Sequence, residues 1–360
     1  MSQPLIVRGA PQEYEINQHA WQLLPAHLNK RKLAKLLILH GDASWRAVQQ
    51  YFPDVSDFAA TFCYYGGQCT DVAADHFAGI AQEKQAEAII AVGGGKVADL
   101  AKLTAFRLHL PIIILPTLAA TCAAYTPLSV VYNEEGVMLR YDIFHKATDL
   151  VLIDPEIILH SPYELMVAGI GDTLAKWYEA DAVISQLTVK AIEIQVAEFA
   201  AKKCRDLLLA ESRSALQAMK NKTLNQAFID VVETNILLAG MVGGFGDEYG
   251  RTSGAHSIHD ALTELPQSHH LLHGNKVAYG ILVQLMIEGK TEEIHRLLPF
   301  YRELQLPASL EEMGLNLTEA EFQTVGARAA EPNENIHFMK QTITSEVVVA
   351  AMKQLERLKA

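Results

Sequence analysis

The segment Glu87–Lys102, EAIIAVGGGKVADLAK, decides the fold. A short apolar run stops at three glycines, and beyond them Val97, Leu100, Ala101, Ala105 and Leu108 fall on one helical stripe. Strand, tight turn, helix is the opening of a βαβ unit. Gly93, Gly94 and Gly95 let the backbone approach a pyrophosphate closely. The helix that follows offers free N–H groups and the positive end of its dipole, and Lys96 adds a charge. The spacing is neither G-x-G-x-x-G nor a Walker loop, so a plain structural turn is the competing reading.

Outward from this segment the same texture repeats. KLLILH (35–40), TFCYY (61–65), PIIILPT (111–117) and DLVLID (149–154) are short and apolar, as strands buried on both faces should be. DVAADHFAGIAQEKQ, between two of them, has helical spacing. In LLILHGDASW, Asp42 follows an early strand. An acid there accepts hydrogen bonds from the adenosine ribose and repels a 2′-phosphate, or it caps the next helix, and both readings stand. After Pro155 helical patterns dominate, over 186–210, 223–241, 272–288, 318–330 and 344–359. The expectation is an α/β, Rossmann-like parallel-sheet domain over 1–158 and an all-α domain over 159–360. Ligands are expected at the carboxyl ends of the strands, in the cleft between the domains.

At 360 residues, half of them apolar and a fifth charged, the chain has room for two cores. A net charge of −12 argues against nucleic acid or an anionic membrane as partner. The start, MSQPLIVRGAPQEYEINQHA, has no basic region leading into an apolar core, so no signal peptide is expected. No apolar run approaches the roughly 20 residues that span a bilayer. Cys63, Cys69, Cys122 and Cys204 share no CxxC spacing, which suits reduced thiols in a cytoplasm.

The second half carries the candidate chemistry. GAHSIHDALTELPQSHHLLHGNKVAYG, from Gly254, holds five of the fourteen histidines. His256 and His259 stand at i,i+3 on an expected helix, His273 precedes a glycine at a turn, and His269 and His270 read as loop residues facing solvent. Upstream, in MVAGIGDTLAKWYEA, Asp172 is expected to open a helix with Lys176 one turn later on the same face. That pair alone reads as a capping acid with an ion pair, and two histidines at i,i+3 are more often core or surface than ligands. Together, one carboxylate and two or three imidazoles suit a divalent transition metal with open positions. No G-x-S-x-G occurs, and no cysteine is paired with a nearby histidine as a thiol nucleophile would be.

GGGKVADLAK, PTLAATCAAYTPLSVVY, AGIGDTLAKWYEA and AHSIHDALTEL…HGNKVAYG together resemble the iron-containing alcohol dehydrogenase family, in its glycerol-dehydrogenase-like branch. Several blocks look similar to the bacterial hydroxycarboxylate dehydrogenase A group. The resemblance implies the architecture shared with dehydroquinate synthase, an NAD- or NADP-dependent dehydrogenase, and metal ligands Asp172, His256 and His273. It implies nucleotide contacts at Asp42, Gly94, Gly95, Lys96, Asp99, Thr117, Thr126, Leu128 and Tyr132. His259 is implied as a second-layer or proton-relay residue. The implied activity is hydride transfer between a small alcohol and a nicotinamide, with a metal acting on the substrate oxygen.

Three departures from the family pattern bear on substrate and metal. Iron-dependent members carry a histidine ligand where this chain has Lys176, which favours a three-ligand zinc site over iron. Glycerol dehydrogenases carry a substrate-binding aspartate where this chain has Cys122, a poor hydrogen-bond acceptor. A serine that contacts nucleotide is Ala120 here. Replacing an acid and adding a cation points to an anionic substrate. Lys176, alone or with the metal, is expected to hold the carboxylate of a small 2-oxo or 2-hydroxy acid; an ion pair with Glu179 is the competing reading. Glycerol or dihydroxyacetone is the alternative substrate. Asp42 favours NAD, with NADP the alternative. A dehydroquinate synthase-type lyase or a glycerol-1-phosphate dehydrogenase would need a denser basic set than Lys96, Lys176, Lys276 and Arg251. A nucleotide-binding, non-catalytic member is the remaining reading, against which the intact Asp172, His256 and His273 weigh. Relatives imply a homo-oligomer, from dimer to octamer.

Overall fold

The computed structural model describes residues 5–358. Its contacts divide the chain into two units. One comprises 8–162 with 218–232; the other comprises 163–217 and 233–358, with residues 5–7. Sequence texture put everything beyond 158 in one domain, whereas the stretch 218–232 groups with the first unit.

In the first unit β1 (Tyr14–Ile16), β2 (Lys35–His40), β3 (Ala59–Tyr64), β4 (Ala88–Gly93), β5 (Ile112–Pro116) and β8 (Leu150–Ile153) form a parallel sheet. Its order among the described residues is β1-β8-β5-β4-β2-β3. Ile90 of β4 stands beside Ile38 of β2 and Ile113 of β5, and all three are fully buried. Helices on both faces leave the central strands no solvated side, so they carry continuous apolar runs rather than alternation. Trp21 closes one end of this core, donating from its indole to the Leu152 carbonyl at 3.1 Å. β6 (Leu128–Tyr132) and β7 (Met138–Ile143) form a separate antiparallel pair.

The second unit is helical, with no strand among its described residues. The apolar helix Tyr163–Ile184 starts well before Asp172, so that acid lies in mid-helix and caps nothing. Gly171, just before it, is a contact point rather than a helix stop: a Cβ there would lie 2.8 Å from the Gly274 carbonyl.

A second expectation is corrected over 226–249. Helical segments run there without a gap, including a π-helical stretch at Thr234–Leu238. This 24-residue run is long and apolar enough to cross a membrane by length and composition. Its most apolar window is 56% buried inside the fold, as in the core helix of a folded domain. Asp230 and Glu233 interrupt any continuous apolar run, which is why the sequence did not show it.

Candidate functional site

Three helices bring Asp172, His256 and His273 together, one residue from each. The helix His273–Ile287 is held between the other two by backbone contact. A Cβ on Gly274 would lie 1.8 Å from the Ala168 carbonyl oxygen, and one on Gly280 would lie 2.3 Å from that of Ala255. Only glycine permits these approaches. His273 is the first residue of its helix, so its imidazole projects past the helix end toward Asp172.

One potential ligand atom from each of these residues lies within 4.8 Å of the other two. Asp172 Oδ1 is 3.2 Å from His256 Nε2 and 3.4 Å from His273 Nε2. It is buried and forms no hydrogen bond among the described residues, so the three atoms face a shared point rather than one another. Asp172 and His256 are buried while the His273 side chain is 42% exposed, which leaves access from that side. A buried carboxylate oxygen that faces two imidazole nitrogens without hydrogen-bonding to either fits a divalent cation of the zinc or ferrous type.

A second layer fixes the two rings. His256 Nδ1 is 2.7 Å from Glu179 Oε2, and Glu179 Oε1 accepts from the backbone N–H of Ser253 at 2.7 Å and of His256 at 2.9 Å. A carboxylate on Nδ1 leaves Nε2 as the ligand atom. His273 Nδ1 is 2.9 Å from His259 Nε2, and His259 Nδ1 is 2.8 Å from Asp260 Oδ1. Both His259 nitrogens are thus engaged, and this ring holds His273. Lys176 is buried, and its Nζ donates to the Arg251 carbonyl at 3.3 Å.

The electrostatics follow from this arrangement. Burial opposes ionisation of Asp172, but the Lys176 ammonium and the two imidazoles outweigh it and hold the carboxyl well below its usual range. Burial disfavours a charged His256, yet the Glu179 carboxylate prevails and lifts this imidazole to about 9. Burial and the neighbouring His273 push His259 down to about 3, which keeps it neutral. From sequence Glu179 had no role beyond an ion pair with Lys176, and Asp260 had none. Asp172, Lys176 and Glu179 recur at i, i+4 and i+7, and that shared helical face was the available signal for Glu179. His269 and His270 are exposed, as expected.

In the first unit the glycine turn leads from β4 into the helix Gly95–Leu108. Gly94 is the N-cap, with no side-chain cap, and none of Gly93, Gly94 or Gly95 needs a positive φ. The first amides of that helix lack intrahelical acceptors, as an anion site requires. The Lys96 ammonium lies over the Tyr132 ring, 5.5 Å from its centroid. Thr117, just past β5, is buried with no hydrogen-bond partner for Oγ1 among the described residues. Asp42 opens the helix Asp42–Val48, whose N-cap is Gly41; the acid is exposed and paired with Arg46 at 2.9 Å, so the capping reading fails.

Asp99 lies one turn into the helix Gly95–Leu108. Its carboxylate is buried, paired with Lys102 Nζ at 2.9 Å, and accepts from the Val130 amide at 3.2 Å. Lys102 Nζ donates further to the carbonyls of Ala123 at 2.8 Å, Thr126 at 3.1 Å and Leu128. Asp99 and Lys102 therefore fasten the loop that carries Thr126 and Leu128. Cys122 lies half-buried in the same loop, its carbonyl accepting from the Tyr125 and Thr126 amides.

A parallel sheet with an open helix amino end, and a carboxylate–imidazole cluster able to hold a metal, are features that suit a metal-assisted, nucleotide-dependent dehydrogenase. Known proteins agree. The model of the iron-containing alcohol dehydrogenase family matches residues 11–155. The chain is 38% identical over 359 residues to hydroxycarboxylate dehydrogenase A of Escherichia coli (strain K12), covering 99% of each. It is 35% identical over 298 residues to the glycerol dehydrogenase of Thermotoga maritima, covering 81% of this chain and 80% of that one. A probable glycerol dehydrogenase from Sinorhizobium meliloti 1021 superposes with a TM-score of 0.87 at 29% identity, over 97% of this chain and 98% of that one. The chain belongs to the iron-containing alcohol dehydrogenase family, and it is an NAD(P)-dependent dehydrogenase.

Proposed function

We propose that this enzyme interconverts a small 2-oxo acid and its 2-hydroxy acid, using NAD in preference to NADP and one divalent cation, zinc before iron. Asp172, His256 and His273 would hold the cation. There it would supply Lewis acidity, lowering the pKa of a bound hydroxyl or polarising a carbonyl. NAD would supply the hydride chemistry.

The observation that carries the substrate class is the buried Lys176 ammonium beside Asp172 and Glu179. Two carboxylates against one ammonium and a divalent cation leave one positive charge over. A substrate carboxylate closes that balance, whereas a neutral polyol leaves net charge in a poorly solvated place. Glu179 holds His256, and His259 holds His273, so the two rings keep their orientation as substrate enters. For the nucleotide, the open amides after Gly94 and the buried Thr117 hydroxyl support pyrophosphate or ribose binding. The exposed Asp42 carboxylate opposes a 2′-phosphate, and Arg46 beside it softens that opposition. A modest preference for NADH, on the order of tenfold, is the expectation; tenfold is about 1.4 kcal/mol.

The test is a screen of 2-oxo acids, dihydroxyacetone and aldehydes with NADH and NADPH, on zinc- and iron-loaded protein. Highest kcat/KM on 2-oxo acids supports the proposal. Highest kcat/KM on dihydroxyacetone moves it to the glycerol dehydrogenase reading, which the Thermotoga maritima relative favours. A cytoplasmic location and a homo-oligomer of two to eight chains belong to the same proposal. Four free cysteines accord with a reducing compartment, and exposed Ile192 and Phe199 on one helix offer a face for self-association. Light scattering on the purified protein reads the assembly state.

A further inference from the structure

We infer that Asp260 is a positioning residue for the metal centre: through His259 it fixes which nitrogen of His273 is bare. This rests on the metal-dependent reading of the same site. A carboxylate only accepts hydrogen bonds, so His259 Nδ1, 2.8 Å from Asp260 Oδ1, carries the hydrogen. The neutral ring then has one acceptor, Nε2, and the group 2.9 Å from it is His273 Nδ1. That contact is a hydrogen bond only if His273 Nδ1 donates. His273 Nε2, on the Asp172 side, is therefore left with its lone pair.

One carboxylate thus sets two tautomers in series. Without it, His259 is free to place its hydrogen on Nε2. His273 Nδ1 would then have to accept, and the His273 hydrogen would move to Nε2, the atom a cation needs. The other ring is held differently, since Glu179 contacts His256 directly. The His259 and Asp260 side chains are only 12% and 16% exposed, so water is a poor substitute for the missing acceptor. Burial opposes the Asp260 anion, but the hydrogen bond from His259 outweighs it and holds the carboxyl below its usual range.

The experiment compares full-length wild type, D260A and D260N, each stripped of metal and titrated with Zn2+ against a chromophoric chelator. D260A should bind Zn2+ more weakly by about 10- to 100-fold, the range seen when an outer partner of a metal histidine is removed. D260N, whose carbonyl oxygen still accepts, should stay within about threefold. Nitrogen NMR of 15N-histidine protein, free of metal, should show the Nδ1–H form of His259 in wild type and D260N and a mixture in D260A. Should D260A fail to fold, His259→Phe carries the same titration, with the same loss expected. Zn2+ affinity unchanged in the folded variant, or an Nε2–H His259 in wild type, overturns the inference alone. A wild type that takes up no Zn2+ overturns the proposed function and this inference with it.

Discussion

At the scale of single residues, the decisive group is Lys176. A hydrogen bond to a charged group contributes about 1.5–3 kcal/mol, and 1.4 kcal/mol is a factor of ten. Lys176→Ala should therefore lower kcat/KM on the best 2-oxo acid by about 10- to 100-fold while changing dihydroxyacetone reduction far less. Equal losses on both substrates, with metal content unchanged, would remove the carboxylate role. His256 gives a pH prediction. In the metal-free site its folded pKa is raised to about 9 by Glu179, so at pH 7 the ring carries a proton that a cation must displace. Zn2+ affinity should thus climb by up to tenfold per pH unit from 6 to 9 and level off above. A flat profile measured by chelator competition would contradict the ligand assignment. Asp172, His256 and His273 were readable in the chain because each sits in a distinctive block. Glu179 and Asp260 were not, because an acid on a helix is usually solvated, and only the folded geometry turns these two inward.

At the scale of elements, glycine placement sets how closely helices meet. Gly274→Ala would put a methyl into the Ala168 carbonyl, so the helices must part. A cost of about 1–3 kcal/mol is expected, with weakened Zn2+ binding as His273 moves. Gly79→Ala is the control: its helix position is exposed with nothing near the added carbon, and about 0.5–1 kcal/mol of stabilisation is expected. Urea melts of both variants check the pair; similar signs would show that close approach is not what Gly274 provides. Lys102→Met would strand the buried Asp99 carboxylate and three loop carbonyls. Breaking a buried pair from one side costs about 3–5 kcal/mol, and NADH affinity should fall as the Thr126–Leu128 loop loosens. NADH binding as tight as in wild type would sink the fastening role. The strands β2, β4, β5 and β8 were legible because a parallel sheet buried on both faces demands unbroken apolar runs, whereas β3, expected to be buried likewise, stands at the sheet edge with Phe62 and Tyr64 exposed. β1 is too short to show a pattern. The outer residues of β7, such as Leu139, Arg140 and Tyr141, are exposed and follow no alternation. The Tyr163–Ile184 helix was misplaced at its start because glycines used for packing look like glycines that stop a helix.

At the scale of the whole molecule, the contact map assigns the two halves of the chemistry to different units. All three candidate metal ligands, with Glu179, His259 and Asp260, belong to the unit formed mainly by 163–217 and 233–358. The glycine turn, Thr117 and the Lys102-fastened loop belong to the unit built around 8–162. Whatever binds a folded segment and not its open form suppresses the openings of that segment. Chelation should therefore raise amide exchange in peptides from 163–184, 254–262 and 273–287, with little change over 88–108. NADH added to metal-free protein should do the reverse, protecting the 93–108 turn and helix and the loop at 117–128. Hydrogen–deuterium exchange read by mass spectrometry resolves both patterns in one protein. Chelation that loosened 88–108 as much as the three metal helices would show the cation stabilising the nucleotide unit directly, contrary to the ligand set proposed here.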